Sequence, residues 1–169
     1  MPDEESQKER INRELIELLN ELRVALPGVQ VLFAFLLGLP FTNRFHEVSG
    51  TSKALYIVAL VTTAIASAFL IAPSVYHRLN FRTPYKEHIV FVANRMAVAG
   101  TSCLALAIGT SVYVVTSFLY GSSLGAAVAA LVGLLLAWLW FGLPLLRRRH
   151  DRPPATARAR SRDAAVRLR

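Results

Sequence analysis

The chain of 169 residues is 54% hydrophobic and carries a formal net charge of +8. It is too apolar for an ordinary soluble domain and too short for more than one compact unit. Split by segment, the charge argues against a nucleic-acid-binding domain. Residues 1–26 hold seven acidic and four basic side chains, while residues 147–169 hold nine arginines against two aspartates, so the excess belongs to a C-terminal tail.

The chain opens with a polar segment, residues 1–23, in which Ile11, Leu15, Leu18 and Leu22 recur at helical spacing. Glu14, Glu17, Glu21, Arg10, Arg13 and Arg23 cover the other faces, so the segment is expected to be an amphipathic helix. Two roles stay open for it: a helix resting on the membrane or on neighbouring loops, or a short self-association seam. It has no apolar core of a secretory leader, and none is expected.

The first apolar stretch starts at Val24, and its 18 residues to Phe41 reach about 27 Å as a helix. That suffices for a thin or locally adjusted bilayer. Pro27 and Gly28 then mark the membrane boundary, where a missing N–H costs little. Gln30 sits just inside that boundary, facing either headgroups or another helix. Three further stretches lack any charged side chain: residues 54–75, 96–119 and 124–146, of 22, 24 and 23 residues. Roughly 20 apolar residues cross a hydrocarbon layer about 30 Å thick, and only a helix satisfies its own backbone there. The third helix is expected to begin near Tyr85, with Ile89 to Ala93 at the cytoplasmic boundary and the span from about residue 89.

The expected fold is therefore an all-α integral membrane protein. Its parts are a four-helix transmembrane bundle (spans 24–41, 54–75, 89–119 and 124–146), the N-terminal amphipathic cytoplasmic helix, and a disordered Arg-rich tail over 147–169. Lysine and arginine concentrate in the N-terminal segment, the 77–88 loop and the tail, which the positive-inside rule places in the cytoplasm. Both termini are then cytoplasmic, and only Arg44 and Lys53 lie on the far side. Sixteen arginines against three lysines suggest a bacterial source, hence an inner-membrane location.

Small residues repeat every four positions in the last two spans: Ala99, Cys103, Ala107 and Ser111, then Gly125, Ala129 and Gly133. Such stripes let helices approach closely, within one chain or between copies. Span hydroxyls (Thr62, Thr63, Ser67, Thr101, Ser102, Thr110, Ser111) can bond back to their own helix or bridge neighbours.

Arg95 is the most informative polar residue, six residues into an apolar stretch, where a charge is costly unless it snorkels or pairs. Glu17 and Glu21 share its side of the membrane and are its candidate partners. The alternative role is contact with an anion or a lipid headgroup. Tyr76, His77 and Arg78 form an interface cluster behind Pro73, and His77 is either a titrating group or an exposed interfacial histidine. His46, His77, His88 and His150 show no metal spacing, and Cys103 is alone, so neither a metal site nor a disulfide is expected. No cofactor site and no nucleophile–base pair is recognisable, and no enzyme is expected.

The segments ELLNELRVALPGVQVLFAFLLGLPF, IAPSVYHRLNFR and KEHIVFVANRMAVAG together resemble a bacterial family of small four-span membrane proteins of unknown function. The resemblance covers about residues 8–120. It implies the four-span fold and brings no activity. The expected function is a structural or accessory component of a membrane assembly, with a homo-oligomer or membrane-protein partner and anionic lipid at the Arg-rich tail. The alternative is a small transporter or channel subunit acting as an oligomer. The spans contain no carboxylate, and ion or proton relays ordinarily need one.

Overall fold

The structure, a computed structural model, describes the backbone of residues 2–79 and 86–150 and the side chains of 9, 10, 13–79 and 89–146. Among the described residues it is helical, with no strand. Helix α1 runs Pro2–Gly38, followed by 3₁₀ turns at Leu39–Phe41 and Asn43–Glu47. Helices α2 (Gly50–Leu79), α3 (Lys86–Tyr120) and α4 (Ser122–Ala137) follow. A π-helical turn (Trp138–Gly142) then leads into α5 (Leu143–His150). Four segments are long and apolar enough to cross a membrane: Arg13–Phe41, Gly50–Leu79, Ile89–Tyr120 and Ser122–Leu146. The chain divides into two compact units, Met1–Gly133 and Leu134–Arg169, where its length led to the expectation of one.

The first unit is organised by seven-residue repeats. In α1 the buried apolar residues are Leu15, Leu22, Val29 and Leu36. In α2 they alternate four and three apart: Ser52, Tyr56, Ala59, Thr63, Ala66, Leu70 and Pro73. In α3 the buried line is Ala93, Gly100, Ala107 and Val114. A seven-residue repeat keeps one seam facing a partner in left-handed helix packing. Helix α2 is the middle member, packed chiefly on α3 and also on α1. One core layer joins Leu22 and Val29 to Ala66 and Leu70, with Ala97 and Leu104 against it. A second joins Leu36 to Tyr56, Ala59 and Val114. These layers make α1 and α3 parallel to each other and antiparallel to α2.

Two features depart from the sequence expectation. The N-terminal helix and the first span form one continuous helix, with Pro27 inside α1. Proline removes a single N–H, leaving the Arg23 carbonyl without its helical donor, and Arg23 is exposed. The seam meanwhile passes through without a break. Leu18 and Leu22 join the core of this unit, so this part of the stripe does not lie on a membrane surface. A close approach between α2 and α3 also lies off the expected small-residue stripe. It is at Gly100, where a β-carbon would stand 2.9 Å from Leu70 Cγ. Ala107 is buried, while Ala99, Cys103 and Ser111 are half-buried beside the seam.

The turn between α3 and α4 requires Gly121, whose φ is +93°. Gly125 then lies flush on Ser117: a β-carbon there would fall 2.9 Å from the Ser117 Cα and N. Ala129 and Gly133, the rest of that stripe, are half-buried.

In the second unit the π turn sets the Trp138 ring against Gly142, where a β-carbon would come 3.0 Å from Cε3. The helix continues to His150, beyond the expected end of the last span. The remainder of the Arg-rich tail and the 80–85 part of the middle loop, with Arg82 and Pro84, lie outside the described residues.

Candidate functional site

The sequence-derived candidates gather at one end of the first unit. Glu17 and Glu21 belong to the early turns of α1, His77 and Arg78 to the last turn of α2, and Arg95 to the early turns of α3. The layer of Leu22, Leu70 and Ala97 sets these three regions side by side. Among the described residues no ion pair joins Arg95 to Glu17 or Glu21. Arg95 is exposed, and its guanidinium carbon lies 5.7 Å from the centroid of the Phe91 ring one turn earlier. Such an arrangement is a cation–π contact on the same helix face. Among the described residues the ion pair is Arg10–Glu14, at 3.1 Å on the exposed face of α1. Glu17, Glu21 and Arg78 are exposed, and His77 is half-buried and has an interaction partner.

Within the spans, hydroxyls are consumed locally. Thr63 donates to the Ala59 carbonyl at 2.7 Å, Ser67 to Thr63 at 2.9 Å and Thr101 to Ala97 at 2.7 Å. Thr62, Ser102, Thr110 and Ser111 donate to carbonyls of their own helices in the same way. Among the described residues no buried side-chain nitrogen or oxygen lacks a partner, and no three His, Cys, Asp or Glu side chains lie together.

Gln30 is not satisfied in this way. It is exposed, and among the described residues its amide has no hydrogen-bond partner. It lies eight residues before the end of α1 at Gly38, about 12 Å along the axis. It falls inside the uncharged run from Val24 to Phe41, about 9 Å along the helix from Val24.

The opposite end of the unit holds a polar cluster that sequence reasoning did not assemble. Ser49 caps α2: its Oγ accepts the Ser52 N–H at 3.2 Å and donates to the Ser52 Oγ at 3.0 Å. Ser52, 5% exposed, meets the Ser117 Oγ at 3.3 Å, and Ser117 donates to the Val114 carbonyl at 3.1 Å. Each hydroxyl has one proton, so the chain is directed from Ser49 through Ser52 and Ser117 to Val114. Phe45 meets Tyr56 edge to face at 5.2 Å, and Lys53 donates to the His46 carbonyl at 3.3 Å, which fixes the 42–49 turns onto α2.

Around this cluster opens a cleft of about 710 Å³, lined by Arg44, Glu47, Thr51, Tyr113, Ser117 and Ser122 among others. An apolar groove of about 180 Å³ adjoins it, lined by Leu39, Phe45, Val114 and Val115 among others, and shares Arg44, Val48, Phe118 and Leu119 with it. The available signal in the sequence was the S-x-x-S pattern at Ser49–Ser52. Nothing local, however, announces that Ser117, 65 residues on, completes it.

These features define an all-α integral membrane protein with polar groups at both ends of its helices and one amide between them. The chain belongs to a family of unknown function (DUF6328), whose model matches residues 4–144. No curated protein and no solved structure matches it.

Proposed function

We infer that the protein is a non-enzymatic structural or accessory component of a membrane assembly, and that the exposed face of α1 is where it associates. The observation that carries this reading is Gln30, exposed within the uncharged run from Val24 to Phe41 and without a hydrogen-bond partner among the described residues. An amide facing hydrocarbon loses its water and gains nothing in return, a cost of several kcal/mol. A helix laid against this face with a polar group at the same depth removes that cost. A second copy supplies one by symmetry, since an amide is both donor and acceptor. Ala34, one turn further, is small and exposed, and would let a partner backbone come close.

Transport is the weaker reading. A pathway needs polar groups turned toward it, whereas Thr62, Thr63, Ser67 and Thr101 bond to carbonyls of their own helices. For orientation, the Lys/Arg distribution supports cytoplasmic termini in a bacterial inner membrane, with the Arg-rich tail near anionic lipid. The test is the mass of the full chain extracted from native membranes in mild detergent. A defined oligomer or a stoichiometric partner is expected. A clean monomer together with solute flux in vesicles would overturn the reading in favour of transport.

A further inference from the structure

We propose that the cleft and groove at the 42–49 end form a single binding site for a phospholipid with a phosphoethanolamine headgroup. The two cavities are continuous in their lining and opposite in chemistry: Arg44, Val48, Phe118 and Leu119 line both, yet only the larger one presents polar groups in quantity. The groove runs along α3 from Phe118 and Leu119 to Val114 and Val115, which leads from the helix ends toward the bilayer interior. An amphiphile lying across both places its alkyl chain in the groove and its headgroup in the cleft.

The headgroup class follows from the groups left unsatisfied. Arg44 and Glu47 both line the cleft and, among the described residues, neither is ion-paired or hydrogen-bonded. Thr51, Tyr113 and Ser122 line it too, and their hydroxyls likewise have no partner there. The protons of Ser49, Ser52 and Ser117 are already committed along their chain. The cleft therefore offers one guanidinium and three free hydroxyl donors, which suit phosphate oxygens. It also offers one carboxylate, which suits an ammonium. A purely anionic headgroup would leave Glu47 facing like charge. A quaternary ammonium has no N–H to give that carboxylate. A primary ammonium joined to a phosphate satisfies both sides, and the cleft volume is that of ordinary small-ligand sites.

The experiment uses the full chain, delipidated in detergent and titrated with phosphatidylethanolamine, phosphatidylcholine and phosphatidylglycerol of identical acyl chains. Glycerophosphoethanolamine is added as a headgroup without chains. Phosphatidylethanolamine is expected to bind about 10-fold tighter than the other two lipids, the worth of one charge-assisted hydrogen bond. The chainless headgroup is expected not to bind in that range. Glu47→Gln should bring phosphatidylethanolamine down to the level of phosphatidylglycerol, and Arg44→Ala should weaken all three lipids. Both side chains are exposed, and unchanged circular dichroism and melting of the variants will show that the fold is intact. Tighter binding of phosphatidylglycerol, equal binding of all three lipids, or a preference that survives Glu47→Gln would overturn the assignment.

Discussion

Tyr56 donates its hydroxyl to the carbonyl oxygen of Leu36, 2.8 Å away and 20 residues earlier in the chain. The residue four positions after Leu36 is Pro40, which has no N–H to offer that carbonyl. The tyrosine thus satisfies a backbone group that the helix end cannot, at a point 3% exposed. Tyr56→Phe should lower stability by about 1–3 kcal/mol, read as a fall in melting temperature in detergent. Pro40→Ala on that background restores a backbone donor and should recover part of the loss. An unchanged melting temperature in Tyr56→Phe would mean that the Leu36 carbonyl is served otherwise.

The two close-approach glycines should respond differently to alanine. At Gly125 the added carbon meets the Ser117 backbone, which cannot yield without moving α3 or α4. At Gly100 its nearest neighbour is the branched end of Leu70, at 2.9 Å, which can turn. Overpacking costs of about 1–3 kcal/mol are typical, so Gly125→Ala belongs at the upper end and Gly100→Ala at the lower. Paired melting curves of the two variants check the order. The opposite order would contradict the packing described for the α3–α4 turn.

The serine chain at the 42–49 end should behave as a unit. Ser52→Ala and Ser117→Ala each remove the same contact, and each costs about 1 kcal/mol. The double variant should therefore cost measurably less than their sum, since partners in one network are not additive. Strict additivity in a double-mutant cycle would show that the 3.3 Å contact contributes nothing.

Orientation has its own check. A cysteine at Ser49 in a Cys103→Ala background should react with a membrane-impermeant maleimide added outside intact cells. Arg169→Cys should react only after the cells are opened. Labelling of the Ser49 position from the cytoplasmic side alone would reverse the proposed topology.

The spans were legible because uncharged runs of more than 20 residues have one structural outcome in lipid. The continuity of α1 was not. Pro27-Gly28 is a strong local breaker signal, and what overrides it is the seam of Leu22, Val29 and Leu36, whose partners lie on α2 and α3. The expected pairing of Arg95 with Glu17 or Glu21 used the right end of the unit but not the local option, an aromatic ring one turn away. The hydroxyl cluster was missed for another reason. Its members are unremarkable singly, and only the antiparallel run of α2 and α3 brings Ser52 to Ser117.

The association of α1 through its Gln30 face is tested most directly by disulfide cross-linking in native membranes. The variant is Ala34→Cys, with Cys103→Ala to remove the native thiol and Gln30 left in place. The account predicts a covalent dimer on mild oxidation. Adding Gln30→Leu should weaken the association about 3- to 30-fold, the range for one interhelical polar contact. A cysteine at Phe33, half-buried on the inner side, should not cross-link. A monomer from Ala34→Cys where the chain extracts as a homo-oligomer, or a dimer indifferent to Gln30→Leu, would contradict association through this face.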